Sequence, residues 1–387
     1  MTIKSRRAAP KGKQTTFEQR NVNGWFRLFD YRRLLSPRFK NRLLNARRQM
    51  KVGNAQKMPL TVSKRHDAVV IVCSADASYV LPLAVMLASV RAHLHARRHL
   101  DIHIIDENVP EPDKAHIRRS LDPDAVTISW HTADRSRLVG VPLWGRLPIC
   151  VYNKLLVPDV LPEEVHTALW LDCDTLALGD ISPLWDEGTA DYTARAVQDS
   201  VVPLVSSDMG VARYCELGLR ADAKYFNCGV LLMNVQRWRQ QRVSDRALAY
   251  LKTYARDVTF WDQEGINAVL WDQWKPLDPQ WNWSVSVGGA FGRRSIDPHI
   301  KIAHFSGNLK PWKHHGGNPY YPIYYEYIDR TAFAGFRPRR RWHTAAVRSY
   351  EQSAFRWMLL PSEQWGIKMW RAFTRRVATP EDVRMMR

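Results

Sequence analysis

Two aspartates, Asp172 and Asp174, end the apolar run HTALWLDCD at residues 166–174. A carboxylate pair so close to a buried strand is costly unless something positive lies against it. On a strand, residues i and i+2 point to the same face, so both carboxylates can bind one ion while Cys173 faces the core. Two hard oxygen ligands favour Mg²⁺ or Mn²⁺ over zinc. An arginine partner and plain solvent at a strand end are the alternatives.

The same pair also suggests a phosphatase. Some hydrolases carry a DxDxT motif at a strand end, and here Leu176 occupies the threonine position, which counts against that class. A lone DxD motif is weak evidence for a metal site, because such short patterns match by chance. The interpretation of the pair therefore depends on the elements that position it.

The chain around the pair alternates between strand-like and helix-like stretches. Residues 67–76 are rich in β-branched residues, as expected for a strand covered on both faces. Residues 78–94 have apolar residues at helical spacing and end in basic residues. The alternation continues with a strand at 100–109, a helix at 111–121 and strands at 125–133 and 167–174. Such βαβ units predict a parallel sheet, and open α/β sheets bind ligands at the carboxyl ends of their strands.

The second half of the chain continues this α/β pattern less regularly. Residues 152–162 are typical of a helix stopped by prolines, and residues 306–323 are irregular and rich in Gly, Pro and aromatic residues. The other predicted elements are a strand at 191–200, a strand leading into a helix at 225–240, a helix at 260–271 and a strand at 299–307. No internal repeat or long linker interrupts residues 66–335, which we interpret as one domain.

The 387 residues carry a formal net charge of +19, and that charge lies at the two ends. Residues 1–65 have a net charge of +16 and residues 336–387 one of +8, whereas residues 66–335 have −5. Basic stretches with interspersed Trp and Leu are typical of amphipathic helices at an anionic membrane. The alternatives are helices that pack on the central domain, and nucleic-acid binding. Nucleic-acid binding is a much weaker hypothesis than membrane binding, because no nucleic-acid-reading motif accompanies the charge.

The cysteines and the apolar stretches indicate the cellular compartment in which the protein is expected. The five cysteines are scattered and form no CxxC pair, which argues against a disulfide framework or a zinc–thiolate site and fits a reducing compartment. The longest apolar stretch, residues 79–90, is too short to span a bilayer, and no secretory signal is evident near residue 1. We therefore expect a cytoplasmic protein, peripheral at the inner face of the membrane.

Five segments carry recognisable motifs in a fixed order. They are IVCSADASY (71–79), WLDCDTL (170–176), YFNCGVLLMNVQRWR (225–239), WDQEGIN (261–267) and HFSGNLKPW (304–312). Together they resemble the family 8 glycosyltransferases, which are retaining, metal-dependent enzymes that use nucleotide sugars. The resemblance covers about residues 67–325 and is strongest to bacterial lipopolysaccharide galactosyl- and glucosyltransferases. It implies a GT-A fold, a Rossmann-like mixed open sheet flanked by helices.

The resemblance implies a site for a UDP-sugar and Mn²⁺. Asp172, Asp174 and His304 would ligate the ion, and an imidazole beside two carboxylates suits Mn²⁺ better than Mg²⁺. The residues implied for uridine are Ser74, Asp76 and Tyr79. They would act through a backbone contact, a hydrogen bond to the base and ring stacking, respectively.

The resemblance also assigns residues to the diphosphate and the sugar. Gly307 would let the backbone approach the diphosphate, and Lys310 would supply a point charge. The residues implied for catalysis are Asn227, Asp262 and Gln263, with Asp199 contacting sugar hydroxyls. The family usually has arginine where this chain has Lys154, so a donor contact by Lys154 would lack the bidentate geometry of arginine.

Each of these residues has an ordinary structural explanation when it is taken alone. Asp76 could cap the helix that follows the first strand, and His304 could be a hydrogen-bonded core histidine. Asn227 could cap a turn, Asp262 could begin a helix, and Lys310 could be a solvated loop charge. Because the motifs occur together and in order, the functional interpretation is the stronger one.

We therefore expect a retaining hexosyltransferase that moves galactose or glucose from a UDP-sugar to a saccharide acceptor of lipopolysaccharide or another envelope glycolipid. Retention could use a carboxylate nucleophile, or a front-face route in which the leaving phosphate oxygen accepts the proton of the acceptor. The alternative function is a catalytically weak protein of the same fold that binds a nucleotide sugar or a glycan. The lysine at position 154 is the one feature that favours it.

Overall fold

A computed structural model of the chain describes residues 68–143, 149–285, 296–307, 310–313 and 318–338. The two basic ends fall almost wholly outside these residues. The predicted domain boundaries after residues 65 and 335, and the predicted amphipathic arms, therefore stay predictions. Among the described residues, no helix combines the length and apolar character needed to cross a membrane.

Strands and helices alternate through most of the described chain. The strands are β1 (Ala68–Asp76), β2 (His99–Glu107), β3 (Val126–His131), β4 (Thr167–Leu171), β5 (Thr175–Ala177), β6 (Ala194–Gln198), β7 (Phe226–Asn234), β8 (Trp274–Pro276), β9 (Trp283–Ser284) and β10 (Ile302–His304). The α-helices are α1 (Val80–His93), α2 (Glu111–Arg119), α3 (Val157–Val160), α4 (Ser182–Asp186), α5 (Val235–Gln240), α6 (Val243–Thr253), α7 (Trp261–Leu270) and α8 (Tyr321–Asp329). Short 3₁₀-helices cover Arg135–Leu138, Ile149–Leu156 and Pro279–Trp281.

A mixed sheet with the strand order β3-β2-β1-β4-β7-β6-β8 forms the centre of the fold. The pairs β1–β2, β2–β3 and β1–β4 are parallel, whereas β7 runs antiparallel to both β4 and β6. The chain builds outward from β1 to β3 and then returns to place β4 on the other side of β1. Ligands of open α/β sheets bind at the carboxyl ends of the strands at such a reversal. Here it lies between Asp76, the last residue of β1, and Asp172, which follows β4.

Two apolar cores cover the two faces of this sheet. In β4, Ala168 and Trp170 pack into one core, and Leu169 and Leu171 pack into the other. Helices α5, α6 and α7 cover the first face, and helices α1 and α2 cover the second. Because both faces are covered, the central strands are apolar at successive positions, which is the pattern that the sequence shows at residues 67–76.

A smaller sheet with the order β5-β10-β9 brings the end of the described chain back to β4. The antiparallel pairing of β10 with β5 sets His304 opposite Thr175. The next residue, Phe305, donates its backbone N–H to the carbonyl O of Asp174 at 2.9 Å. This pairing is what carries the HFSG segment to the aspartates.

The predicted α/β class and mixed open sheet are confirmed, with two local differences. Strand β4 ends at Leu171, so Asp172 and Asp174 lie in the turn between β4 and β5 rather than on the strand. Residues 152–162 were expected to form one helix, but they form the end of a 3₁₀-helix and the single turn of α3. Pro158 lies at the start of α3, and a proline lacks the N–H that would continue a preceding helix.

Candidate active site

The turn that carries Asp172 and Asp174 is fastened to β7 and β1. The N–H of Asp172 donates to the carbonyl O of Gly229 at 2.9 Å, and the indole of Trp170 donates to Asp172 Oδ1 at 2.7 Å. Between the two aspartates, Cys173 is buried, and its thiol donates to the carbonyl O of Ser74 at 3.1 Å. The predicted orientation of Cys173 toward the core is therefore confirmed.

Asp172, Asp174 and His304 form a cluster that can hold a metal ion. One possible ligand atom from each residue lies within 4.8 Å of the others. His304 is buried, and its Nε2 lies 3.3 Å from Asp174 Oδ1. Two carboxylate oxygens and an imidazole nitrogen are a donor set that fits Mn²⁺. The structure thus brings together the three residues predicted as ligands from distant parts of the sequence, while metal binding by them stays a prediction.

A buried ammonium group lies beside this cluster. Lys310 Nζ donates to Asp174 Oδ2, and also to the carbonyl O of Phe305 at 2.6 Å. Burial opposes ionisation of Asp174, but Lys310 and His304 outweigh it and lower the pKa of Asp174 far below its usual range. Asp174 is therefore an ionised acceptor, and Lys310 supplies positive charge directly beside it.

A second buried lysine joins the aspartate turn to the start of α7. Lys154 Nζ lies 3.0 Å from Asp262 Oδ2 and 3.5 Å from Asp172 Oδ1, and it lies over the ring of Trp170. Burial alone would lower the pKa of Lys154, but Asp172 and Asp262 outweigh it and raise the pKa of the ammonium group. The lysine that departs from the family pattern therefore remains charged and pairs with two of the predicted site residues.

Three of the residues predicted for the sugar form one hydrogen-bonded group. Asp199 Oδ2 accepts from Asn227 Nδ2 at 3.0 Å and from Gln263 Nε2 at 3.1 Å. Its other oxygen accepts from two backbone N–H groups of the following turn, at 2.8 and 2.9 Å. Gln263 Oε1 in turn accepts from the N–H of Cys228 at 3.1 Å. These contacts fix the amides of Asn227 on β7 and Gln263 on α7 around the carboxylate of Asp199, which follows β6.

Asp76 and Tyr79 lie where β1 meets α1. Asp76 Oδ1 accepts from the N–H and Oγ of Ser78 at 2.8 and 2.7 Å, and from the N–H of Tyr79 at 3.1 Å. Asp76 therefore stabilises the turn before α1, in agreement with the structural role that the sequence also allowed for it. The Tyr79 ring meets the edge of Trp312 with 5.8 Å between ring centroids. Binding of uridine by either residue stays a prediction.

Two residues beside Ser74 were missed from the sequence. Asn153, which is fully buried, donates from Nδ2 to Ser74 Oγ at 2.8 Å and to Glu107 Oε1 at 2.7 Å. Glu107 is the last residue of β2 and pairs across the sheet with Asp76. Glu107 could have been predicted as a site residue, because it lies near the carboxyl end of a predicted strand. Nothing in the sequence around Asn153 indicated its position.

Two glycines let the backbone take positions that other residues oppose. A Cβ at Gly229, inside β7, would lie 2.3 Å from Cε1 of His304, so only glycine lets that ring approach the strand. A glycine in a strand interior is itself a sign of close approach, a signal that the sequence analysis did not use. Gly307 has a φ of 77°, in the left-handed region that favours glycine, and its contact with a diphosphate stays a prediction.

Replacing Gly229 with alanine is expected to destabilise the fold by about 1–3 kcal/mol, because the added methyl group must displace the His304 ring. The same displacement should weaken Mn²⁺ binding. Denaturant unfolding measures the first effect, and titration with Mn²⁺ measures the second. Unchanged stability together with unchanged Mn²⁺ affinity would contradict the close packing of His304 on β7.

The comparisons with known proteins agree with this geometry. The model of glycosyl transferase family 8 matches residues 70–316, and the chain therefore belongs to that family. It is 26% identical over 281 residues to general stress protein A of Bacillus subtilis, covering 69% of this chain and 96% of the relative. It is 26% identical over 246 residues to the lipopolysaccharide glucosyltransferase WaaO of Escherichia coli, covering 61% of this chain and 70% of the relative.

The fold is also similar to that of a solved glycosyltransferase. The galactosyltransferase LgtC, in complex with donor and acceptor sugar analogues, superposes with a TM-score of 0.58 at 22% identity. The superposition covers 72% of this chain and 99% of LgtC. The predicted GT-A fold is confirmed by this likeness.

Proposed function

We propose that the protein is a retaining hexosyltransferase that moves galactose or glucose from a UDP-sugar to a saccharide acceptor of lipopolysaccharide or a similar envelope glycan. The observation that carries this proposal is the cluster of Asp172, Asp174 and His304, with Lys310 beside it, at the reversal point of the sheet. The relatives include a lipopolysaccharide 1,3-galactosyltransferase of Salmonella typhimurium and the lipopolysaccharide glucosyltransferase of Escherichia coli, which supports this acceptor class.

The charge that develops during transfer explains the arrangement around Asp174. Glycosyl transfer passes through an oxocarbenium-like state while the nucleoside diphosphate leaves with negative charge. A divalent ion held by Asp172, Asp174 and His304 supplies Lewis-acid stabilisation of that charge when it is bound, and we propose Mn²⁺ as the ion. Lys310 adds a fixed positive charge at the same place, within a buried setting where electrostatic effects are strong.

The group around Asp199 is suited to holding the donor hexose. Asn227 and Gln263 have both ends of their amides fixed by hydrogen bonds, so their orientations are set before the sugar arrives. Fixed polar groups position a reacting sugar without further ordering cost. In this proposal Asp199, Asn227 and Gln263 contact hexose hydroxyls, while Ser74, Asp76 and Tyr79 hold the uridine at the end of β1.

The contacts of Asp262 favour a front-face route over a covalent intermediate. Burial raises the pKa of Asp262, and the Lys154 ammonium that opposes this effect lies 3.0 Å from its carboxylate, so Asp262 offers no free negative charge for nucleophilic attack. Gln263 is a poor nucleophile because its amide carries no charge. Retention is then achieved when the leaving phosphate oxygen takes the proton of the acceptor hydroxyl on the same face of the sugar.

The direct test uses a purified acceptor. The protein is incubated with Mn²⁺, UDP-glucose or UDP-galactose, and core oligosaccharides of lipopolysaccharide truncated at successive sugars. The proposal predicts that one pair gives a product larger by one hexose, and that the new linkage has the α configuration of the donor by proton NMR. A β-linked product would contradict retention, and transfer of phosphate instead of sugar would contradict the class.

We further propose that the basic ends of the chain hold it at an anionic membrane surface. The support is their net charge, +16 for residues 1–65 and +8 for residues 336–387, against −5 for the remainder. Polybasic segments are attracted to anionic lipid by about 1 kcal/mol per Lys or Arg near the surface.

Removal of residues 339–387 is expected to lower the fraction of protein bound to phosphatidylglycerol vesicles at low salt, because eleven positively charged residues are lost with it while residues 1–65 keep their net charge of +16. Co-sedimentation measures the bound fraction, and phosphatidylcholine vesicles provide the control. Unchanged binding, with activity on a soluble acceptor lost, would show that this segment supports the catalytic domain instead.

A further inference from the structure

Asn282, which follows the short helix Pro279–Trp281, connects the candidate metal ligands to the candidate sugar site. Its Oδ1 lies 2.9 Å from His304 Nδ1, and its Nδ2 donates to Asn227 Oδ1 at 2.9 Å. Asn282 and His304 are both buried, with 7% and 4% of their surfaces exposed. A hydrogen bond in that setting is costly to leave unmade, so both ends of the Asn282 amide are committed.

A backbone group decides which way the Asn282 amide faces. The N–H of Gly229 can only donate, and it lies 2.9 Å from Asn227 Oδ1, which identifies that atom of Asn227 as the oxygen. An oxygen must in turn receive a donor from Asn282, so the NH₂ group of Asn282 faces Asn227. The carbonyl oxygen of Asn282 is then left to face His304.

The orientation of Asn282 in turn sets the state of the imidazole. A carbonyl oxygen only accepts hydrogen bonds, so Nδ1 of His304 must carry a hydrogen. In the neutral ring, Nε2 is then unprotonated and presents its lone pair toward Asp174 Oδ1, 3.3 Å away, whereas the doubly protonated ring donates from Nε2 to that oxygen. In the neutral ring, the lone pairs of His304 Nε2 and Asp174 Oδ1 face each other and can both bind one cation placed between them. Binding of a metal ion by the two residues requires this arrangement.

The opposite tautomer would defeat this arrangement. With the hydrogen on Nε2, His304 would donate to Asp174 and the two residues would satisfy each other without a metal. We propose that Asn282 is a positioning residue that prevents this by holding His304 in the Nδ1–H tautomer. The orientation is transmitted from the Gly229 N–H through Asn227 and Asn282.

The hydrogen bonds of Asn282 and Asn227 continue to Asp199 and Gln263, the residues proposed to contact the sugar. Asn227 uses its oxygen for Asn282 and its Nδ2 for Asp199, which also binds Gln263. One continuous set of hydrogen bonds therefore runs from His304 to Gln263. The roles given to the metal and the sugar rest on the proposed function. The tautomer of His304 does not, because it is a property of the protein alone.

The first test observes the tautomer without metal or substrate. In protein labelled with ¹⁵N-histidine, the two-bond ¹H–¹⁵N correlations distinguish the two neutral tautomers from each other and from the doubly protonated ring. The His304 signals are assigned from their loss in His304→Gln. The proposal predicts the Nδ1–H form in the wild type and in Asn282→Asp, which keeps an acceptor facing the ring. It predicts a substantial Nε2–H population in Asn282→Leu.

The second test measures binding of Mn²⁺ alone, from the electron paramagnetic resonance signal of the free ion. Asn282→Leu is expected to raise the Kd for Mn²⁺ by about 10–100-fold, as the loss of an outer partner of a metal-ligating histidine does. Gln241→Leu is the matched control. It removes an amide that accepts from Thr193 Oγ1, and Thr193 contacts Asn234 at the opposite end of β7 from Asn227, so the Kd should stay unchanged.

Either measurement can overturn the proposal. A wild-type His304 in the Nε2–H form would contradict it whether or not the variants fold. An Asn282→Leu variant that is folded, as judged by circular dichroism, and binds Mn²⁺ as tightly as the wild type would contradict it as well. If the protein binds Mn²⁺ and shows the predicted tautomer yet transfers no sugar, the proposed function fails while this inference stands.

Discussion

The Asp174→Asn variant is expected to lose sugar transfer by about 10³-fold or more in kcat/KM. The substitution removes a charged ligand from the cluster with Asp172 and His304. Stabilisation of a leaving diphosphate by a metal ion is worth several kcal/mol, and each 1.4 kcal/mol is about tenfold in rate. The amide also offers no charge to Lys310, so the ammonium group loses its ionic partner. Steady-state kinetics at saturating Mn²⁺ measures the loss.

Asp180→Asn provides the control for this variant. Asp180 lies just after β5 and accepts from the N–H of Ser182 at 2.9 Å, so its substitution removes the same charge from a turn outside the metal cluster. Activity there should stay within about twofold of the wild type, since surface substitutions have small effects. An Asp174→Asn variant with full activity would remove Asp174 from the metal site.

The Lys154→Met variant is expected to lose about 3–5 kcal/mol of folding stability, because it leaves a buried carboxylate without its partner. Lys154 is buried to 5% exposure and lies 3.0 Å from Asp262, which is itself buried. Methionine has a similar length and no charge, so packing is largely retained. Denaturant unfolding at pH 7 measures the change, and sugar transfer should fall with it because Asp172 also loses a neighbouring positive charge.

A double variant separates the ion pair from other effects. Lys154→Met combined with Asp262→Asn removes both charges, and it should recover about 1–3 kcal/mol relative to Lys154→Met alone. Activity should not recover, because Asp262 is a predicted site residue. Lys252→Met is the control, since Lys252 Nζ donates to the carbonyl O of Arg137 at an exposed position. Additive losses in the double variant would contradict the pairing of Lys154 with Asp262.

The α/β class and the place of the aspartates could be predicted because both follow from local patterns. The apolar run up to Leu171 locates β4, although the strand predicted for residues 167–174 ends at Leu171, and the alternation of strands and helices indicates the sheet. His304 could be placed only through the resemblance to family 8, since its spacing from Asp174 in the sequence carries no geometric information. Its position depends on the pairing of β10 with β5, a contact between distant segments.

The supporting residues were not predictable for a related reason. Asn282 lies among tryptophans in PQWNW, where neither periodicity nor turn chemistry marks it, and its role exists only once β7 and β10 are assembled. The pairing of Lys310 with Asp174 likewise joins two segments that the sequence treats as separate motifs. Lys154 was noticed as a departure from the family pattern, but its contact with Asp262 required the packing of α7 against the 3₁₀-helix Ile149–Leu156. Local rules place elements, whereas such contacts depend on the assembled core.

The central claim is that this site cleaves a UDP-hexose with the help of a divalent metal. Release of UDP from UDP-glucose and UDP-galactose, without any acceptor and with or without Mn²⁺, tests it most directly, because such enzymes transfer sugar slowly to water. The account predicts Mn²⁺-dependent UDP release from one of the two donors, and its loss in Asp174→Asn. No release from any UDP-sugar by folded protein with Mn²⁺ bound would contradict the claim and favour a protein that binds the nucleotide sugar without turnover.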